Sequence, residues 1–254
     1  MLDWLPVTIL EIQSCKDISQ LKAIMIKIQK KLKYDFILYS IQSSSSFKES
    51  SINYLGNFPQ KWIERYEEQD YSSIDPIVKH CISSNTPICW YDFYSHKDTM
   101  ITNFFNEASK FGLLGGVSIG FRINSGEVGI LSLSKKEVLR EEDSSYCSAL
   151  MYMSSLQPYI HNALKKISSK QGDKNFSLTK RELECLTWIA EGKTSGEIST
   201  ILKISESTVI FHIKNIIDKL EVSNRTQATS KAILIGLIYP NSNENSRSYL
   251  GFKE

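Results

Sequence analysis

Hydrophobic residues in the first two thirds of the chain follow two different spacings. Helical spacing predicts five helices, over residues 17–32, 59–68, 75–82, 99–111 and 141–167. Alternation of apolar and polar residues predicts strands over 34–41, 116–123 and 127–133. The sequence Asn124-Ser125-Gly126 separates the last two strands and is typical of a hairpin turn. Helices before, between and after hairpin strands predict an α/β/α sandwich around an antiparallel sheet. The fifth helix is expected to begin at Glu141, with acidic residues in its first turn.

The last third of the chain shows helical spacing alone. Helix starts are predicted at two capping boxes, Thr179–Glu182 and Thr194–Glu197, and at the N-cap candidates Ser205 and Asn224. The dipeptide Ile204-Ser205 predicts a tight turn between the second and third of these helices. Four short helices with that turn predict an all-α helix-turn-helix domain, and the whole chain is therefore expected to be of the α+β class.

Two hydrophilic stretches divide the chain. The segment 168–175 has no large apolar residue and predicts a linker, and the Asn- and Ser-rich stretch after residue 240 predicts a loose tail. We expect a first domain over 1–168, a linker over 169–176, a second domain over 177–239 and a flexible tail over 240–254. The serines 43–46, which lie between two strand-like segments, are expected to form a loop.

Composition excludes several protein classes. The chain has 254 residues, of which 41% are hydrophobic and 23% are charged, so a disordered or collagen-like protein is excluded. No apolar run reaches the roughly 18 residues of a membrane-spanning helix, and the first ten residues lack Lys and Arg, which is unlike a secretory signal. We therefore expect a cytoplasmic protein without a membrane partner. The five cysteines contain no CxxC pair, so we expect neither a metal site nor a cofactor.

Charge alone does not indicate a nucleic-acid partner, because 30 basic and 28 acidic residues leave a net charge of +2. The predicted third C-terminal helix is more informative. This helix is expected to bury one stripe of apolar residues in the domain core and to expose another face to solvent. Its N-terminal half can then lie in a major groove of DNA. The candidate contacts are hydroxyls near helix starts, outward residues and basic side chains: Thr194, Ser195, Ser205, Ser207, Thr208, Ile210, Phe211, Lys214, Lys219 and Arg225.

The second domain resembles the DNA-binding domain of LuxR-type transcription factors. The resemblance rests on these residues, among others: Leu178-Thr179, Glu182, Leu186, Gly192, Glu197-Ile198, Ser205, Thr208-Val209, Lys219-Leu220 and Asn224-Arg225. It covers nearly the whole small domain without a gap. Because residues 173–239 hold 9 basic and 8 acidic residues, one domain alone has little electrostatic attraction to DNA, so we expect a homodimer that reads a two-fold symmetric operator, with RNA polymerase as a further candidate partner.

An unusual cluster in the first domain combines aromatic residues with one acid. Phe58, Trp62 and Tyr66 are spaced to share one helix face, and Asp75 and Trp90 follow them. Such a stripe commonly forms part of a core. A carboxylate beside an aromatic wall also needs hydrogen-bond donors, however, and a bound ligand would provide them.

This cluster resembles the signal-binding domain of LuxR-type quorum-sensing receptors, a PAS/GAF-like domain whose ligands are N-acyl-homoserine lactones. The resemblance implies that Trp62 donates to the lactone carbonyl and that Asp75 accepts the ligand amide N–H. Ser132 would contact an acyl-side carbonyl, and Tyr66 and Trp90 would form walls. Phe58 stands where the family often has a tyrosine, so one phenol donor is missing.

The leading hypothesis is a ligand-responsive DNA-binding regulator that binds an N-acyl-homoserine lactone and controls promoters in quorum sensing. An alternative retains DNA binding but treats the first domain as an orphan sensor of another small molecule, which Phe58 supports. A phosphoacceptor domain is disfavoured because Asp35 has no acidic neighbour near an early strand. An enzyme is disfavoured because no histidine lies in a GxSxG, HExxH or phosphate-loop context.

Overall fold

The computed structural model describes residues 4–44, 50–94, 97–170 and 176–239. The chain divides into two compact units, Met1–Asn175 and Phe176–Glu254. The predicted tail over 240–254 lies outside the described residues. Among the described helices, none has both the length and the hydropathy that crossing a membrane requires.

The first unit is built on a five-stranded antiparallel sheet with the strand order β2-β1-β5-β4-β3. The strands are β1 (Phe36–Ser44), β2 (Ser50–Gly56), β3 (Ile88–Cys89), β4 (Gly115–Asn124) and β5 (Glu127–Lys135). The strongest pairings join β1, β5 and β4 in the centre, and the predicted hairpin connects β4 to β5. Side chains alternate between the two sheet faces, so Leu38 and Ser40 lie on the face opposite to Ile37 and Tyr39.

Helices cover both faces of this sheet. On one face, α1 (Leu5–Ser14), α2 (Ile18–Lys31) and α6 (Ser144–Lys170) enclose a core that contains Tyr39 and Leu133. On the other face, α3 (Gln60–Glu68), α4 (Pro76–Ser83) and α5 (Thr99–Lys110) enclose a second, more aromatic core. Short 3-10 turns at Tyr71–Ser73 and Trp90–Phe93 complete this second layer. The predicted α/β/α sandwich is confirmed.

The structure corrects three local predictions. The first two serines of the predicted loop over 43–46 belong to β1, because they pair with Ser51 and Ser50 of β2. The sequence prediction also omitted α1, and α6 begins at Ser144 rather than at Glu141. The acidic residues before α6 form a turn instead, in which the Asp143 carboxylate accepts the backbone N–H of Arg140 at 2.8 Å.

The second unit contains the four predicted helices, α7 (Lys180–Ala190), α8 (Ser195–Leu202), α9 (Glu206–Lys219) and α10 (Arg225–Leu234). Both predicted capping boxes form, at Thr179 and Thr194, and Ser205 and Asn224 cap the other two helices. Lys203 adopts a left-handed conformation (φ 54°) that makes the tight turn between α8 and α9. The helix-turn-helix prediction is confirmed.

The ends of the linker predicted over 169–176 belong to the neighbouring units. Helix α6 extends through Lys170, and Phe176 packs against the core of the second unit, where Lys231 lies over its ring at 4.5 Å. Residues 171–175 lie outside the described residues.

Candidate functional site

A mostly apolar cavity lies between the sheet and the α3–α5 layer of the first unit. All six side chains predicted to contact a ligand line it: Phe58, Trp62, Tyr66, Asp75, Trp90 and Ser132. Their neighbours in the lining include Leu38, Ser40, Tyr54, Phe104, Phe105, Leu113 and Ile130. The cavity volume is about 70 Å³. Ligand sites typically measure roughly 300–1,000 Å³, so a ligand must displace side chains as it enters.

Helix α3 places Trp62 and Tyr66 on the cavity side because they are one turn apart. Trp62 is buried in aromatic rings, stacked on Tyr71 at 5.8 Å between ring centroids and tilted against Phe104 and Phe111 at 5.6 Å each. Among the described residues the indole N–H of Trp62 has no hydrogen-bond acceptor. A donor held rigidly beside a cavity is suited to a carbonyl oxygen of a ligand.

Asp75 is the buried acid of this cavity, with 6% of its surface exposed. Its position follows from local structure, because its side chain caps α4 and accepts the backbone N–H of Ile77 at 2.8 Å. The second carboxylate oxygen accepts the Tyr66 hydroxyl at 2.9 Å. Burial raises the pKa of Asp75 to about 6, although both hydrogen bonds oppose the shift. A carboxylate has about four acceptor positions, so Asp75 retains capacity for a further donor.

A chain of hydrogen bonds directs the Ser132 hydroxyl into the cavity. The Trp90 indole N–H donates to Ser118 Oγ at 2.9 Å, and Ser118 and Ser132 share a hydrogen bond at 2.7 Å. Ser118 is fully buried, so its proton must go to Ser132, because the opposite direction would leave that proton without an acceptor. The Ser132 proton is then available to a ligand oxygen.

Sequence reasoning missed Ser118, Ser40 and Tyr54. Ser118 lies within an apolar strand, and its role depends on its pairing with Ser132 in β5. Ser40 and Tyr54 are cross-strand partners on β1 and β2, and their proximity depends on a strand register that the sequence pattern does not specify. Phe58 packs edge-on against Phe36 and Trp90 at 6.2 and 6.4 Å, and it brings no hydroxyl to the cavity.

An ion pair on the outer side of this layer ties α3 to α5. Arg65 donates to both carboxylate oxygens of Glu107, from Nε at 3.0 Å and from Nη2 at 3.1 Å, and the Tyr71 hydroxyl donates to the same carboxylate at 2.8 Å. The Arg65 and Tyr71 hydrogen bonds hold the pKa of Glu107 at about 2. Because Tyr71 also stacks on Trp62, the network braces one wall of the cavity.

The second unit presents a separate surface on α9. Ser207, Ile210, Phe211 and Lys214 are exposed and recur at helical spacing, with Ile210 and Phe211 exposing 55% and 59% of their surface. Thr194, Ser195, Thr208 and Ser205 lie at the starts of α8 and α9, where backbone N–H groups favour an anion. The arrangement suits insertion of α9 into a DNA groove.

Lys219 has a partner within its own domain. Its Nζ lies 2.7 Å from a carboxylate oxygen of Glu182, which is 2% exposed and also belongs to the α7 capping box. Burial alone would raise the pKa of Glu182, but the hydrogen bonds from Lys219 and Thr179 hold it below its usual value. Lys219 therefore connects α9 to α7, whereas the predicted contact Arg225 is exposed at the start of α10.

Within the described ranges, no three His, Cys, Asp or Glu side chains are grouped so that they could hold a metal ion.

Comparisons with known proteins support a ligand-binding first unit and a DNA-binding second unit. Residues 17–164 match the family "Autoinducer binding domain", and residues 176–232 match "Bacterial regulatory proteins, luxR family". The chain is 34% identical over 229 residues to the transcriptional activator protein LuxR of Aliivibrio fischeri, which covers 90% of this chain and 92% of that protein.

Solved structures give the same result. A crystal structure of Escherichia coli SdiA superposes with a TM-score of 0.82 and 27% identity, covering 94% of this chain and 99% of that one. SdiA in complex with octanoyl-rac-glycerol matches equally well, with a TM-score of 0.82, 27% identity and coverage of 94% and 97%. From both domain matches, the full-length relative and this shared fold, the chain belongs to the LuxR family of autoinducer-binding, helix-turn-helix transcriptional regulators of quorum sensing.

Proposed function

We propose that the autoinducer of this regulator is an N-acyl-homoserine lactone held in the aromatic cavity of the first unit. The observation that carries the proposal is the convergence of two donors and one acceptor on that cavity, namely Trp62, Ser132 and Asp75. An acyl-homoserine lactone offers two carbonyl oxygens and one amide N–H between them. The three protein groups therefore match the polar groups of the ligand in type and number.

Each contact has a physical basis in the described structure. The Trp62 indole N–H would donate to the lactone carbonyl, and the Ser132 hydroxyl would donate to the acyl carbonyl. Asp75 would accept the amide N–H, while Tyr66 and Trp90 would enclose the lactone and the start of the acyl chain. Phe58 would add only an apolar contact.

We further propose that the regulator acts as a cytoplasmic homodimer on a two-fold symmetric operator and is not an enzyme. Two copies of α9 would enter successive major grooves, with Ser207, Ile210 and Phe211 near base edges and Lys214 and Arg225 adding positive charge. Thr194, Ser195, Ser205 and Thr208 would bind phosphates, and Lys219 would add charge from its place beside Glu182. RNA polymerase is a candidate partner of the DNA-bound dimer.

The alternative is an orphan sensor whose ligand lacks the amide. The missing phenol at Phe58 favours it, as does the octanoyl-rac-glycerol bound to the related SdiA. The family findings favour the lactone. Mass spectrometry of small molecules that co-purify with protein expressed beside mixed lactones separates the two, because an orphan sensor would retain no lactone.

Substitution of Asp75 tests the lactone assignment. We expect Asp75→Ala to weaken lactone binding by about 1–3 kcal/mol, since the ligand amide N–H would be buried without an acceptor. The measurement is a reporter dose–response together with calorimetry on folded, purified variant. Glu64→Ala, at an exposed carboxylate on α3, is the matched control. An unchanged response in Asp75→Ala would contradict the assignment.

Lactone affinity should also depend on pH. The amide N–H favours ionised Asp75, whose pKa of about 6 in the free protein places protonation in competition with the ligand below that pH. We expect affinity to be about tenfold lower at pH 5 than at pH 7, because each pH unit below the pKa reduces the ionised fraction roughly tenfold. Calorimetry across this range checks the slope, and Asp75→Asn should show none. A flat profile in the unsubstituted protein would contradict the role of Asp75.

Restoring the missing phenol tests the geometry near Phe58. We expect Phe58→Tyr to tighten lactone binding by about 1 kcal/mol, the usual contribution of a neutral hydrogen bond, if the acyl carbonyl lies near that ring. Titration calorimetry measures the change, with Phe93→Tyr as a control in a 3-10 turn of the same layer at a residue that does not line the cavity. Unchanged or weaker binding in Phe58→Tyr would show that the carbonyl is already satisfied or lies elsewhere.

Substitution of Lys214 tests the DNA-binding face. If Lys214 holds a phosphate, Lys214→Ala should weaken binding to all sequences and reduce the salt dependence of binding. If it reads a guanine, base preference should change instead. Gel shifts across salt concentrations and operator variants distinguish these results. Lys79→Ala, on α4 of the first unit, is the matched control, and an unchanged gel shift for Lys214→Ala would remove this face from the interface.

A further inference from the structure

A second cavity lies on the other face of the sheet, between strands β1, β2 and β5 and the C-terminal half of α6. We call it the α6 cavity. Its volume is about 740 Å³, within the roughly 300–1,000 Å³ of typical ligand sites. Among the described residues, its lining includes Tyr39 and Ile41 of β1, Leu55 of β2, and His161 and Leu164 of α6. The lactone contacts proposed above use none of these side chains.

Tyr39 brings an unused hydroxyl group to this cavity. The side chain is fully buried, yet its hydroxyl has no hydrogen-bond partner in the part of the chain that the structure describes. The phenol lies across Gly129 of β5, where a Cβ atom would collide with the hydroxyl. The Gly129 carbonyl accepts the side-chain N–H of Gln157 at 3.1 Å instead. A buried hydroxyl without a partner lowers stability, so its presence here needs an explanation.

His161 of α6 is unpartnered in the same way. It is 4% exposed, and within the described ranges neither of its ring nitrogens has a hydrogen-bond partner. Its ring centroid lies 6.5 Å from that of Tyr39, so the two unused groups are neighbours. Burial lowers the pKa of His161, and the positive charge of Lys165 lowers it further. The imidazole is therefore neutral near pH 7, with one N–H donor and one acceptor nitrogen.

Charged side chains give the α6 cavity a positive lining. Two lysines of α6, Lys165 and Lys166, and one acid of β5, Glu127, are the charged residues of its described lining, which leaves a formal charge of +1. Burial raises the pKa of Glu127, and the charge of Lys165 opposes that shift. This balance favours one negative charge on a ligand, and Glu127 disfavours a second.

We propose that the α6 cavity is a second ligand site, which binds a small monocarboxylate with an apolar body. The Tyr39 hydroxyl and the His161 N–H donate to the carboxylate oxygens, so the ligand satisfies donors that the protein leaves unused. Neither group contacts solvent in this structure, so both side chains turn toward the ligand as it binds. Ile41, Leu55 and Leu164 contact its apolar body. Binding here does not depend on which ligand occupies the aromatic cavity.

The first test compares carboxylic acids with their neutral amides. Full-length protein is titrated at pH 7 with octanoate and with phenylacetate, and dissociation constants are measured by calorimetry. We expect at least one acid to bind about tenfold more tightly than the amide of the same carbon skeleton, octanamide or phenylacetamide. The acid that binds more tightly shows whether the site takes an aliphatic or an aromatic body. Failure of both acids to bind, or equal binding of acid and amide, would overturn the inference.

Two variants assign that binding to the α6 cavity. Tyr39→Phe and His161→Leu remove the unpartnered groups and keep apolar bulk in their place. Each should weaken binding of the acid about tenfold, while the melting temperature of the ligand-free protein stays unchanged or rises. Tyr34→Phe is the matched control, because its hydroxyl lies in the same core and donates to the Ser145 carbonyl at 3.1 Å. It should lower the melting temperature and retain acid binding. Acid binding that persists in the Tyr39→Phe/His161→Leu double variant would contradict the assignment.

The His161 imidazole also reports on the site directly. The chain has four histidines, and the NMR signal of His161 in histidine-labelled protein is identified by its absence in His161→Leu. A bound carboxylate favours the imidazolium form, so a saturating concentration of the acid should raise the pKa of His161. The same shift should appear when N-hexanoyl-homoserine lactone is also present. An unchanged pKa of His161, or loss of the shift on addition of the lactone, would overturn the inference and leave the lactone function standing.

Discussion

The burial of one carboxylate constrains the whole sensing layer of the first unit. Asp75 lies beside the aromatic rings of the cavity, and its buried charge is tolerated because the Tyr66 hydroxyl and the backbone N–H groups of Ile77 and Val78 donate to it. The Tyr66 hydrogen bond joins α3 to the start of α4, and α3 in turn determines where the Trp62 ring lies. The raised pKa of Asp75 shows that these bonds only partly compensate for lost water. A further donor from a ligand would therefore stabilise the layer as well as the complex.

The small volume of the aromatic cavity also links ligand binding to the packing of this layer. A space of about 70 Å³ lies well below the volume of typical ligand sites, so aromatic side chains partly occupy the space that a ligand needs. Trp62, Tyr71 and Phe104 contact one another through stacked, tilted and edge-on rings, so a change at one ring affects the packing of the other two. The Arg65–Glu107 pair holds α3 to α5 on the outer side of this layer. Ligand entry and packing of this layer are therefore one coupled process.

Local patterns predicted the helices that the structure describes, except α1, together with the central hairpin and the site residues that share one element or one capping motif. For example, Trp62 and Tyr66 lie one turn apart on α3, and Asp75 directly precedes Pro76 at the start of α4. Contacts between distant segments could not be predicted, because they depend on strand register or helix packing: Ser118 with Ser132, Ser40 with Tyr54, and Arg65 with Glu107. The partner of Lys219 could not be predicted for the same reason. Its positive charge suggested a phosphate partner, whereas in the structure it pairs with the Glu182 carboxylate of α7. Strand β2 is polar and lies at the sheet edge, where alternation is weak.

The DNA-binding unit has a hydrophobic core of its own, in which Val209 and Ile216 of α9 pack with residues of α7, α8 and α10. The buried Glu182 carboxylate holds α9 to α7 through Lys219, and removing Lys219 would leave the buried carboxylate poorly compensated. The presentation of Ile210, Phe211 and Lys214 is thus set by residues within the unit itself. Formation of the recognition helix α9 therefore does not require a ligand in the first unit. What such a ligand can change directly is the stability of the layer around Asp75, and any signal that reaches DNA must begin with that change.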